Sequence, residues 1–152
     1  MIQLLGGASH PLYEPFPELW RRSRQKNFMS RYQHLPLYDA LYRYTNELYK
    51  LKKSLPKDLK HDLGESICKS SLRALKLVVF ANGSERKDAP LRDLALEIET
   101  QWVYLRLLHD QKGISIGLFE AMGKRLSSIG SQVGAWRKWY KEESRKINSP
   151  KK

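Results

Sequence analysis

The stretch "LPLYDALYRYTNELYKLKKSLPK" runs from Leu35 to Lys57. Within it Leu37, Leu41, Tyr44, Leu48 and Leu51 recur at spacings of four, three, four and three. That is the period of one apolar face of an α-helix, not the alternation of a strand. Pro36 suits the first helical turn, where its missing N–H leaves no bond unmade. Pro56 breaks the run and opens the next one. The stretch therefore predicts an amphipathic helix followed almost at once by another. Helices joined so tightly pack as antiparallel neighbours.

The pattern repeats along the chain. A second seam comprises Leu59, Leu63, Ile67, Ser70, Ala74, Leu77 and Ala81. "ANGSERKDAP", Ala81 to Pro90, reads as a loop from its Asn-Gly, Ser and Pro content. Leu91, Leu94, Ile98, Trp102, Leu105 and Leu108 form a third seam, with Gly113 the expected C-terminal cap. Ser115 is placed to cap a fourth helix, whose seam is Phe119, Met122, Leu126, Ile129, Val133, Trp136 and Tyr140. On that helix Gly123, Ser127, Gly130 and Gly134 lie near one face, where a neighbour can approach closely. No strand pattern of useful length is present. The fold class expected is all-α, an up-down antiparallel four-helix bundle over residues 34–144. Before it lies an extension, residues 1–33, made irregular by Gly6-Gly7, Pro11, Pro15 and Pro17; after it lies a basic tail, residues 145–152. A chain of 152 residues is long enough to bury a core without staples.

The formal net charge is +12, and it is unevenly spread. Residues 1–19 carry −2, residues 20–60 carry +8, residues 61–112 balance, and residues 113–152 carry +6. A basic excess confined to two segments points to a polyanion-binding face. The candidate contacts are Arg21, Arg22, Arg24, Lys26 and Arg31 before the bundle, then Arg43, Lys50, Lys53 and Lys57 on and after the first helix. Lys124, Arg125, Arg137, Lys138 and Lys141 continue them on the fourth. Lysines and arginines of this kind neutralise phosphates without reading sequence, so binding should weaken steeply with salt. Trp20, Phe28 and Tyr32 are candidates for stacking on unpaired bases.

A second apolar set lies off the seams. Tyr38, Tyr42 and Tyr49 flank the leucines of the first helix, and Leu96, Val103, Tyr104 and Leu107 mark a second stripe on the third. A helix apolar on two sides is covered on two sides, so these residues predict a homo-oligomer interface. Trp139, at the flank of the last seam, fits either that interface or base stacking, whereas Trp136 continues the seam and reads as structural.

Several chemistries find no residues to carry them. There is no phosphate-binding P-loop, no nucleophile motif and no Glu-x-x-His pair for a di-iron bundle. The one cysteine, Cys68, and four scattered histidines offer neither a disulfide nor metal-ligand spacing. Cys68 reads as a small buried residue. No cofactor and no catalysis are expected. With no apolar run of ~18 residues and no leader pattern, no membrane partner is expected and the cytoplasm is the expected compartment.

Three pieces in order, "LPLYDALYRYTNELYKLKKSLPKDLKHDLGESI", "ALKLVVFAN" and "SIGSQVGAWRKW", resemble a known family. They look like the four-helix-bundle proteins that include the accessory variability determinants of diversity-generating retroelements and the proteins encoded in 23S ribosomal RNA intervening sequences. The resemblance covers about two thirds of the chain. For the accessory type it implies a positively charged homopentameric ring that binds the retroelement's reverse transcriptase and template RNA. Such a ring supports mutagenic, adenine-targeted cDNA synthesis, while catalysis belongs to the polymerase. For the intervening-sequence type it implies the same fold, RNA binding and no polymerase partner. The chain departs from the family in its basic, aromatic-bearing extension, residues 1–33.

Overall fold

The computed structural model describes Tyr32 and residues 35–150. Among these residues there are four long helices and no strand. We number them α1 (Pro36–Ser54), α2 (Glu65–Gly83), α3 (Asp88–Asp110) and α4 (Ile116–Asn148). A single α turn, Lys57–Leu59, and a π turn, Lys60–Gly64, lead directly into α2. α1 packs on α2 and α4, and α3 packs on the same two helices. This is a closed four-helix bundle with α1 and α3 on one diagonal.

The seams read from spacing meet inside it. Leu41, Tyr44, Leu48, Ile67, Leu91, Leu94, Leu105, Leu108, Leu126 and Ile129 are essentially sealed from solvent. Full burial of such a side chain contributes roughly 1.5–3 kcal/mol. Cys68 is buried as a free thiol, and burial raises its pKa, which suits packing rather than nucleophilic attack. Ser115 caps α4 as expected: its Oγ accepts from the Leu118 N–H at 3.1 Å.

Elsewhere the structure corrects the spacing. Trp102 is only partly buried, and its neighbour Gln101 takes the sealed position on α3. The reason is a hydrogen-bonded partner at each end of the amide. Gln101 Nε2 donates to the Ile67 carbonyl at 3.0 Å, and its Oε1 accepts from the Tyr44 hydroxyl at 2.9 Å. On α2, Val78 is sealed in place of the partly exposed Leu77. The connection after α2 is shorter than "ANGSERKDAP" suggested, because helix continues to Gly83 and resumes at Asp88. Lys87 bridges this tight turn: its ammonium donates to the carbonyls of Ala81 and Ser84, where the dipole of α2 is negative.

The cap of α3 also differs from expectation. The residue in left-handed conformation is Lys112, at φ 61°, not Gly113. Lys112 N–H donates to the His109 carbonyl and Gly113 N–H to the Leu108 carbonyl, at 2.9 and 2.8 Å, which is the Schellman arrangement. Gly113 is needed for space instead: a Cβ there would meet Leu59 Cδ1 at 2.8 Å and the Leu108 carbonyl at 3.2 Å. Of the α4 glycines, Gly123 holds the Trp102 ring, which a Cβ would meet at 3.2 Å. Gly134 has nothing within 4 Å of that position, so it takes no part in close packing. α4 itself runs to Asn148, so the helix passes through the boundary drawn at residue 144 and takes in half of the supposed tail.

Candidate nucleic-acid interface

The cations on α1 stand on its solvent side. Arg43 pairs with Asp39 at 3.2 Å and Lys50 with Glu47 at 3.3 Å, both within one helical turn and both exposed. Such pairs are worth little in water, about 0–1 kcal/mol, so a phosphate can compete for either cation. Lys53 and Lys57 are exposed at the end of α1 and in the turn that follows. Tyr44 lies opposite Gln101, and Trp102 lies against Gly123. Those contacts put Lys124 and Arg125 at the same height as Arg43, on the helix that packs beside α1. Both are exposed. A group of cations thus spans the α1–α4 side of the bundle.

Arg137 and Lys141 are elsewhere. α4 turns about 100° per residue, so the twelve residues from Arg125 to Arg137 rotate the helix face by about 120°. Arg137 and Lys141 consequently face α3 and line an open groove of about 180 Å³ with Asp88, Leu91, Arg92 and Tyr140. Lys138 is exposed on the outer side of α4. Of the basic candidates that fall on described residues, those on α4 are therefore divided between two faces. Sequence reasoning missed two members of the second face, Arg92 in this groove and Arg145 in its continuation beside Asp88 and Lys141. Arg92 was hidden because the segment around it is electrically neutral, and Arg145 because it was assigned to a tail.

Arg21, Arg22, Arg24, Lys26 and Arg31, with Trp20 and Phe28, lie outside the described residues. Tyr32 does not fit the stacking role. It is buried, edge-on to Tyr38 with ring centroids 4.8 Å apart, and so has no open face for a base. Tyr42 continues this aromatic row beyond Tyr38, at 5.9 Å. Burial among these phenols pushes the Tyr38 hydroxyl up to about 12.

The second apolar set splits as well. Leu96 and Val103 are 65% and 56% exposed, and Leu107, Tyr49 and Trp139 are exposed too. Tyr38 and Tyr104 instead pack partly on the chain's own core. Leu96, Val103 and Leu107, with Thr100 between them, repeat at four, three and four, which is one stripe on α3. Two further exposed residues, Leu72 and Phe80 on α2, were not singled out by spacing because α2 was assigned a single seam. Among the described residues no group of three His, Cys, Asp or Glu is placed to hold a metal ion, and no helix is long and apolar enough to cross a membrane.

These features define the class: a small four-helix-bundle protein with a cationic exterior and an exposed apolar stripe. The chain belongs to the bAvd-like family, whose model matches residues 22–140. No curated protein and no solved structure matches the chain.

Proposed function

We propose that this protein is a non-catalytic accessory subunit of a diversity-generating retroelement. In this reading it is a cytoplasmic adaptor that binds the reverse transcriptase and its template RNA, and it works as a homopentameric ring in mutagenic cDNA synthesis. Membership of the bAvd-like family carries the reading and favours it over the ribosomal-RNA intervening-sequence alternative. The cations spanning the α1–α4 side support the RNA-binding part, and the exposed stripe on α3 supports the assembly.

Three kinds of experiment test it: RNA binding, light scattering and co-purification. RNA affinity should fall steeply with salt, with a slope of about −0.7 per phosphate contact for single strands. Replacing Arg43, Lys50 and Lys53 together by glutamate should abolish binding while helicity is kept; unchanged affinity refutes this face. Light scattering should give a pentamer for the native chain, and Leu96→Glu with Val103→Glu should give a folded monomer. Failure to co-purify with a retroelement reverse transcriptase would remove the polymerase from the reading.

A further inference from the structure

Arg43 and Lys50 each have a carboxylate partner on α1. The basic row on the α3 side of α4 is built differently. Arg137, Lys141 and Arg145 follow at intervals of four, so they share one side of the helix and step about 6 Å along its axis. All three are exposed. Among the described residues none of the three is in an ion pair, and the nearby Glu143 is taken by Lys146 at 2.8 Å. Like charges four apart repel along a helix, so the row costs α4 stability that nothing among the described residues returns. Arg92 faces the row from α3. Its own pair with Asp93, at 3.2 Å, is exposed and yields easily to a competing anion. Past Tyr140 the groove widens toward Asn148. Asp88 is the one carboxylate among the described residues that line it, and it accepts from the Tyr140 hydroxyl at 3.3 Å.

The chemistry of the lining selects the ligand. Arginine and lysine, with tyrosine, serine and asparagine donors, are the side chains that hold phosphate and sugar oxygens without reading bases. Beside its cations the groove presents Tyr140, Ser144 and Asn148. An acidic peptide would also need a pocket for an apolar anchor. Leu91, the aliphatic residue in the wall, is 1% exposed and offers none. The row begins about 18 Å along α4 from Arg125 and about 120° around it. Lys138 is exposed on the outer side between the two faces. One strand can therefore touch both, and linked contacts hold it more tightly than either face alone.

We propose that the α3–α4 groove is a second track for the phosphate backbone of single-stranded RNA, held by Arg137, Lys141 and Arg145 with Arg92 opposite. The inference rests on the RNA-binding reading above and adds a face to it. The test compares two charge-reversed variants of the full chain in binding a fluorescent oligouridylate. Arg137→Glu with Lys141→Glu reverses the groove. Lys69→Glu with Lys76→Glu makes the same change of net charge on the exposed side of α2, diagonally across the bundle. The groove variant should bind about tenfold more weakly, with a salt slope shallower by about 1.4 for two lost contacts. The α2 variant should stay within about threefold of the native chain and keep its slope. Equal losses in the two variants overturn the groove, and so does native binding by the groove variant. A native chain that does not bind the probe removes the RNA reading and the groove with it, so the two failures are told apart. In a second measurement the photoreactive amino acid p-benzoylphenylalanine replaces the exposed Asn148, or Lys76 as the control, and the complex is irradiated. Crosslinked RNA is expected from position 148 and not from position 76. No crosslink from position 148, or equal crosslinking from both, also overturns the proposal.

Discussion

α3 is held from its two sides by opposite means. Toward α2 the contact is polar: Ser70 and Arg73 donate to Glu97 at 2.6 and 2.8 Å, and Gln101 donates to the Ile67 carbonyl. Toward α4 it is steric: the Trp102 ring lies against Gly123, and Ile98 lies beside Gly130. Hydrogen bonds specify register because a slip of one residue unpairs buried groups. Close approach specifies it because only a glycine leaves room at that height. The difference teaches that two neighbours of one helix need not be selected by the same kind of residue. It also shows why a search for apolar seams finds one side better than the other.

Both sides should break by comparable amounts. Gly123→Leu drives a side chain into the Trp102 ring, with an expected loss of about 1–3 kcal/mol from overpacking, seen as a lower denaturation midpoint with unchanged m. The polar side should break by roughly 1–3 kcal/mol in Gln101→Leu, because the buried Tyr44 hydroxyl loses its acceptor. Adding Tyr44→Phe should return part of that loss; if the double variant is no better than the single, the hydroxyl was not the cause. The smallest effect sharpens the comparison at a site away from α3. The folded pKa of Tyr38 is raised from 10.0 to about 12 by burial and by the neighbouring phenols of Tyr32 and Tyr42. The folded state then holds its proton longer than the unfolded state, so stability is complete below pH 10 and declines as pH rises from 10 toward 12. Tyr38→Phe should flatten that decline in an alkaline melt series.

The bundle was legible because its helices obey one period over most of their length. The seam positions from Leu37 to Leu51 and from Met122 to Val133 are read correctly by spacing alone, since each of them is buried and apolar, although spacing passes over the buried Thr45 that bonds to Ser71. The misses share a cause: spacing sees hydrophobicity and not partners. Gln101 is sealed because Tyr44 and Ile67 satisfy it from two other helices, which no local pattern announces. Gly113 looked like a conformational glycine, but the space it leaves is set by Leu59, far away in sequence. Spacing placed Gly134 on the close-approach face with Gly123 and Gly130, but in the fold nothing lies within 4 Å of where its Cβ would be. The charged surface was legible in total but not in geometry. Arg125 and Arg137 belong to one basic segment, yet the turn of α4 sends Arg137 to the side of α3, next to an Arg92 contributed by a neutral one.

The π turn at Lys60–Gly64 bears on chain length as well as on shape. Its i to i+5 bonding takes up one residue more than an α-helix would over the same rise. The spacing of four and four from Leu59 through Leu63 to Ile67 is its trace in the sequence. Deleting one residue here should let the turn relax to α-helix and leave Ile67, Ala74 and Val78 facing inward. The same deletion at Lys76, in mid-α2, would rotate everything after it by about 100° and turn Val78 and Ala81 out of the core. Related chains that differ by a single residue before α2 should therefore differ within Lys60–Gly64, and an alignment of them should carry its gap there.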